Sequence, residues 1–335
     1  MKLINLSKSQ KNYYEEFSKW LHDDLNSVNA IILENLKNDS SLIAELSNYI
    51  IGAGGKRIRP LLTLAMAKLC GYSGKRHLNL AAVIEFIHTA TLLHDDVVDN
   101  SNKRRGKKTA NYIWGNKSSI LVGDFLLSKA FRILVDDGSL KCIDIISKVS
   151  EKISFGEVKQ LVSIGNLSLS EPEYLDIINC KTAKLFSAAC QLSGEISEIS
   201  EGKKKALSDF GTYLGISYQI IDDTLDYFSN EKSSGKEIGN DFKEHKMTLP
   251  LILTFKRSNN KEKNYLDFLI KKKKINKDDL SWIVEKMTKY DVEKDCLQKA
   301  KHFSLMAKDS IGLFNLNYDK EKILRLVDFL VHRET

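Results

Sequence analysis

The chain has 335 residues, 42% of them hydrophobic and 28% charged; this is ordinary for a soluble globular protein and enough for one large domain or two small ones. A net charge of +7 admits an anionic substrate, a membrane surface or nucleic acid. No aromatic-plus-basic signature accompanies the lysine runs at 203–205 and 271–274, so these are taken as solvated surface and a nucleic-acid partner is set aside.

Three prolines, Pro60, Pro172 and Pro250, leave room for long helices. No run of about 18 apolar residues is present to span a bilayer. Residues 1–17 lack the apolar core of a signal peptide. Cys70, Cys142, Cys180, Cys190 and Cys296 form no CxxC pair. They suit buried thiols in a reducing, cytoplasmic compartment better than a disulfide or zinc framework.

In chain order, the first 30 or so residues are expected to form a peripheral helix. Gly52 to Gly55 break the chain, and Gly54-Gly55-Lys56-Arg57-Ile58-Arg59-Pro60 leads from that turn into three cations. Lys and Arg placed there suit phosphate oxygens, which Arg binds bidentately; a solvated helix start is the plainer alternative. After Gly71 to Gly74, residues 78–99 repeat apolar positions at three- and four-residue spacing and end in His94-Asp95-Asp96-Val97-Val98-Asp99. Arg104-Arg105-Gly106 follows. Amphipathic spacing returns over 119–135, 141–164, 172–194 and 204–228, with Asp137-Gly138 as a further break. The last of these segments ends in Asp222-Asp223-Thr224-Leu225-Asp226, and Gly235-Lys236-Glu237 and Asp241 to Lys246 come after it. Residues 261–332 carry more charge but keep helical spacing. No internal repeat, Pro/Ser-rich linker or run of alternating strands appears. The expectation is a single all-α domain over residues 1–335.

The two aspartate clusters carry the chemistry. Asp95 and Asp99 lie four residues apart, and Asp96 and Asp99 three, so they share a helix face. Carboxylates crowded in this way repel one another unless a cation neutralises them. Hard divalent ions take oxygen ligands and are often held jointly by carboxylates and substrate phosphates. One DDxxD is as readily an acidic helix end as a site. Two copies, each closing an apolar helix and each followed by basic residues, fit two helix ends facing one diphosphate-binding cavity.

These segments, in order over roughly residues 50 to 255, resemble the trans-prenyl diphosphate synthase family. Glu85 to Asp99, Thr109-Ala110-Asn111 with Trp114-Gly115, and Val122-Gly123-Asp124 are similar to its long-chain, octaprenyl-type branch. The resemblance implies an isoprenoid-synthase helical bundle with a central cavity, and a homodimer. It implies three Mg²⁺ ions bound by Asp95, Asp96 and Asp99 and by Asp222, Asp223 and Asp226. It places Arg104 on the allylic diphosphate, and Lys56, Arg59, His88 and Arg105 on isopentenyl diphosphate. Lys181, Lys236 and Lys246 would stabilise the departing diphosphate, and Thr182 and Gln219 the carbocation. Taken alone, His88, Thr182 and Gln219 would be ordinary helix residues. The chain departs from the family at His245-Lys246-Met247-Thr248, where Gly-Lys-Pro-Thr is usual; an altered loop geometry with activity retained is expected. Arg333 is a further candidate contact for isopentenyl diphosphate.

Ala90 and Thr91, one turn before Asp95, are small. That leaves a tunnel open below the first cluster. The resemblance implies a product near C40, within a range of C30 to C50, extended from farnesyl diphosphate and destined for a quinone side chain. Phe131, Leu134 and Ile146 are candidate floor residues. The product is insoluble, so brief membrane contact at release is expected. The alternatives are a C15–C20 synthase, a class I terpene cyclase, an HD-type phosphohydrolase and an inactive subunit of a heteromeric synthase. The cyclase needs neither Lys56 and Arg59 nor Lys236. The phosphohydrolase needs more histidine ligands than seven histidines supply in any evident set. The inactive subunit would have lost an aspartate cluster.

Overall fold

The computed structural model describes residues 8–37, 41–52, 55–104, 106–228, 238–272 and 274–331. Arg105, Lys236 and Arg333, which the sequence singles out, lie outside them, as does Gly54.

Near the middle of the bundle is α5 (Arg76–Val98). Every residue from Leu80 to Ile87 is buried, so this helix has no solvent face over two turns, as expected of one that is apolar all round. Around it pack α2 (His22–Leu36), α4 (Ile58–Leu69), α6 (Ala110–Asp137) and α9 (Lys184–Ile196). α6 bends at Gly115, whose φ of 82° lies outside the helical region and favours a residue without a Cβ. α1 (Lys8–Trp20), α3 (Ser41–Gly52) and α7 (Leu140–Val162) complete this half. The N-terminal segment is thus two helices, and Phe17, Leu21, Val28 and Ile32 bury their side chains in the main core.

α10 (Glu201–Phe228) is 28 residues long, about 42 Å at 1.5 Å per residue. Its first half (Leu207, Phe210, Leu214) belongs to the core around α5. Its second half (Ile216, Ile220, Tyr227) belongs to a second core. That core is shared with α8 (Glu171–Ile178), α12 (Leu249–Arg257), α13 (Asn260–Ile270), α14 (Lys277–Lys289) and α15 (Val292–Ser310). α11 (Asn240–Lys243) is a single turn, and α16 (Tyr318–Val331) closes the chain against α1.

The helices observed follow the predicted spacing, with three local differences. The 172–194 segment is interrupted by a π-turn at Asn179–Ala183. The 261–332 segment breaks into α13 to α16, and side-chain caps mark two of the starts: Asn259 with Glu262 for α13, and Asn276 with Asp279 for α14. Between α5 and α6 the chain makes a two-residue antiparallel hairpin, β1 (Lys103–Arg104) and β2 (Lys107–Lys108), pairing Lys103 with Lys108 and Arg104 with Lys107. No helix among the described residues is long and apolar enough to cross a membrane.

Candidate active site

α5 and α10 each finish in three aspartates. A helix C-terminus already carries the negative end of the backbone dipole, so carboxylates there are unfavourable until cations answer them. Each first-cluster carboxylate has a cationic neighbour from a different part of the chain. Arg104, on β1, donates from Nε and Nη2 to Asp96 Oδ1 at 2.9 and 2.8 Å. Lys181 Nζ, on the π-turn, lies 3.9 Å from Asp95 Oδ2. Lys246 Nζ donates to Asp99 Oδ2 at 2.8 Å and to Glu244 at 2.7 Å. Burial opposes the Lys246 charge, but Asp99, Asp241 and Glu244 outweigh it and raise its pKa. Burial raises the pKa of Asp96, and Arg104 opposes the rise.

In the second cluster, Asp223 is buried and fully engaged. Tyr174 OH donates to its Oδ2 at 2.6 Å, and Gln219 Nε2 to its Oδ1 at 2.7 Å. Thr182 Oγ1 donates to Gln219 Oε1 at 2.8 Å. Thr182, Gln219 and Asp223, from the π-turn and α10, are therefore one hydrogen-bonded line. Burial pushes the Asp223 carboxyl up to about 7; the Tyr174 and Gln219 bonds pull it down, and Asp222 and Asp226 push it further up. Asp226 ties in the loop that follows: its carbonyl accepts from Gly239 N at 2.8 Å, and its Oδ2 from Asp241 N at 3.0 Å.

That loop carries Lys246 back to Asp99, 147 residues away in sequence. It thereby joins the two carboxylate clusters across one site. His245 holds φ at 55°, a left-handed conformation that glycine adopts without steric cost. In this chain the position is a histidine, so the turn is held against the steric cost of a Cβ.

Close backbone packing sets the register of the line. A Cβ on Gly215 of α10 would lie 2.6 Å from Ala183 Cα, and one on Gly156 of α7 would lie 2.7 Å from Lys181 N. Both helices lie directly against the π-turn, which fixes where Lys181 and Thr182 project. Gly215→Val is expected to cost about 3 kcal/mol of stability through overpacking, read as a lowered thermal unfolding midpoint. A midpoint equal to wild type would mean that the packing is looser than this.

The basic segment before α4 forms a pocket with Glu85 and His88 of α5 and Tyr218 of α10. Lys56, Arg57 and Arg59 line it. The Arg59 guanidinium donates to His88 Nε2 at 3.1 Å and stacks over the Phe186 ring at 4.6 Å. Arg57 pairs with Glu85. Tyr14 OH donates to the Lys56 carbonyl at 2.8 Å, and both Tyr14 and the Lys56 ammonium lie against Phe329 of α16. Ala90 is buried in the main core, and the half-buried Thr91 turns its hydroxyl back to the His88 carbonyl at 2.8 Å. A shallow depression of about 620 Å³ at the far end of the bundle is lined by Arg76, Asp137, Lys141, Glu195 and Lys204. Its charges are paired with one another, and neither aspartate cluster reaches it.

Several participants escape the sequence reading, Tyr14 and Tyr174 among them. Glu157 and Gln160 accept from Lys181 Nζ at 2.6 and 2.8 Å; burial, then the charge of Asp95, pushes Glu157 up to about 7. Glu85 is a carboxylate in the most buried stretch of α5. The available signals were an isolated glycine, Gly156, inside a helical pattern and a charge inside an apolar one.

Among the described residues, no three histidine, cysteine, aspartate or glutamate side chains converge closely enough to hold a metal ion alone. The donors present are hard carboxylate oxygens at two helix ends linked by the loop from Asp226 to Lys246, some already disfavoured as anions by burial. This fits divalent ions that complete their coordination with substrate phosphates and water.

A helical bundle with two carboxylate-ended helices and convergent cations has the architecture of an isoprenoid synthase. The sequence pattern of the polyprenyl synthetase family matches residues 40–287. The octaprenyl diphosphate synthase of Escherichia coli (strain K12) is 47% identical over 238 residues, covering 71% of this chain and 74% of that protein. The geranylgeranyl diphosphate synthase of Saccharolobus solfataricus is 34% identical over 328 residues, covering 95% and 98%. Among solved structures, a Caulobacter crescentus polyprenyl synthase complexed with calcium and isoprenyl diphosphate superposes with a TM-score of 0.93 at 39% identity, covering 96% of this chain and 98% of that one. The chain belongs to the polyprenyl synthetase family of prenyltransferases.

Proposed function

We propose that the protein extends an allylic diphosphate, farnesyl diphosphate first, by successive head-to-tail addition of isopentenyl diphosphate. The product is an all-trans chain of about C40, for use as a quinone side chain. The observation that carries this reading is the Lys246–Asp99 contact, because it brings the basic loop of one aspartate cluster onto the other. The small Ala90 and Thr91 and the similarity to an octaprenyl synthase support the length. Relatives of other product classes, such as the geranylgeranyl synthase, make length the part to test.

Ionisation leaves an allylic cation and a diphosphate on which negative charge develops. Arg104, Lys181 and Lys246 stand at the first cluster, where they stabilise that charge. Three Mg²⁺ ions held by Asp95, Asp96, Asp99, Asp222, Asp223 and Asp226 would supply further electrophilic charge when bound. The Thr182 hydroxyl donates its hydrogen bond to Gln219, which leaves the lone pairs of the Thr182 oxygen to stabilise the cation. Lys56, Arg59 and His88 hold isopentenyl diphosphate so that its double bond attacks, and the departed diphosphate takes the proton that is then lost. The apolar walls keep out water, which would quench the cation. Arg105 and Lys236 keep the roles that the resemblance implies.

A homodimer is supported by exposed apolar residues on α6 and α7: Ile113, Ile120 and Leu121 on one, Phe155, Val158 and Val162 on the other. Tyr14→Phe removes one hydrogen bond to the Lys56 backbone, worth about 1 kcal/mol. It is expected to raise KM for isopentenyl diphosphate about fivefold with kcat within about twofold; an unchanged KM would detach Tyr14 from that site.

The reading is tested by incubating the protein with Mg²⁺, farnesyl diphosphate and labelled isopentenyl diphosphate and weighing the products. A ladder ending near C40 is expected. An end at C15 or C20 keeps the chemistry and overturns the length. Cyclised or hydrolysed farnesyl diphosphate without incorporation overturns the reading.

A further inference from the structure

α13 and α14 pack into a lysine-rich surface hairpin. Residues 260–289 contain nine lysines against five acidic residues (9 − 5 = +4), more than half of the chain's net +7. Four of the acids are matched within the hairpin: Asp267 with Lys271 at 2.5 Å, Asp279 with Lys272 at 2.6 Å, Glu262 with Lys289 at 2.8 Å, and Glu285 with Lys286 at 2.9 Å. Lys261, Lys274 and Lys277 are exposed. Along α13, Lys261, Tyr265 and Phe268 follow at helical spacing on one stripe that continues to Lys272 just past the helix end, while Leu266 and Leu269 on the other side are fully buried. Phe268 is 58% and Tyr265 39% exposed. Their rings stack at 6.0 Å, Trp282 of α14 meets Tyr265 edge-on at 4.6 Å, and Lys286 lies 5.5 Å over Trp282.

This hairpin flanks the active site. Leu280 of α14 presses on Gly239 so closely that a Cβ there would lie 2.2 Å from it, and Gly239 N donates to the Asp226 carbonyl. Ile270 of α13 packs on Gly165, whose N–H donates to the His245 carbonyl. α14 therefore abuts the loop that carries Lys246, and α13 reaches it through Gly165.

We propose that this face docks on an anionic lipid bilayer. Phe268, Tyr265 and Trp282 sit at headgroup depth, where rings with one apolar and one polar aspect are favoured. The surrounding lysines keep their charges among the lipid phosphates. Docking holds the loop between the two aspartate clusters at the membrane surface, where a long apolar product has an acceptor phase; this role rests on the product length proposed above. Lysine excess selects an anionic lipid surface over a second copy of this equally basic chain.

The test is co-sedimentation of the full chain with vesicles of phosphatidylcholine alone or with about a third phosphatidylglycerol. Binding is expected only to the anionic vesicles at about 0.1 M salt, and is expected to fall about tenfold at fivefold higher salt. Phe268→Ser, and separately Lys261→Glu with Lys274→Glu and Lys277→Glu, are each expected to lower binding at least about tenfold with synthase activity in detergent unchanged. No binding, equal binding to neutral vesicles, or variants that bind like wild type would overturn the proposal. So would a Phe268→Ser chain that changes oligomeric state without lipid, which would assign the face to a protein contact. If the wild type makes long product in detergent but ignores vesicles, docking alone fails. If it binds vesicles but condenses nothing, the synthase reading fails.

Discussion

Asp222→Asn is expected to lower kcat about a thousandfold, measured with saturating farnesyl and isopentenyl diphosphates and Mg²⁺. Asparagine keeps the size of the side chain and removes the charge that would draw a divalent ion to this helix end. Losing one preorganised electrostatic contact to a developing anion costs about a hundredfold to a thousandfold, and a lost metal contact lies at the upper end. Asp223 would be a confounded probe, because its replacement would also release Tyr174 and Gln219. The thermal midpoint should stay close to wild type. Asp95→Asn at the other cluster should cause a loss of the same order. The double variant should fall well short of the product of the two losses, because groups that hold one assembly fail together. Fully additive losses would mean that the clusters act separately, and a loss under about tenfold would remove Asp222 from the reaction.

Ala90→Phe is expected to stop elongation at C15 to C20 while leaving the first condensation fast. Ala90 is buried on α5, five residues before Asp95. A ring there stands across the path that a growing chain would take below the first cluster. Overpacking should lower stability by about 1–3 kcal/mol, so the thermal midpoint must be read beside the products. Thr91→Phe, at a half-buried position, gives the same test with less strain on the core. If both variants fold and still make the wild-type ladder, the tunnel does not run past these residues.

The parts of the site that lie at helix ends were legible in the sequence. Asp95 to Asp99 and Asp222 to Asp226 each close an apolar helix, and two such copies are hard to explain as surface charge. Arg104 could be placed because it follows within a short turn. The residues that long-range packing positions were not legible from local pattern; the roles of Lys181, Thr182 and Lys246 came only from the family resemblance. Nothing local marks Lys181 and Thr182 as lying on a π-turn, because that distortion depends on α7 and α10 pressing on it through Gly156 and Gly215. Glu157 and Gln160 acquire their partner only when that turn is in place. The reach of Lys246 to Asp99 joins residues 147 apart, a distance no periodicity encodes. The left-handed backbone of His245 was not legible either, because histidine gives no local signal for it.

The most direct test of the central claim, that both aspartate clusters serve one diphosphate-binding metal site, is Mn²⁺ binding followed by electron paramagnetic resonance with and without inorganic diphosphate. The account predicts about three ions that bind tightly only with diphosphate, with fewer bound when either Asp95 or Asp222 is replaced by asparagine. Full Mn²⁺ binding in the Asp222→Asn chain, or binding indifferent to diphosphate, would contradict it.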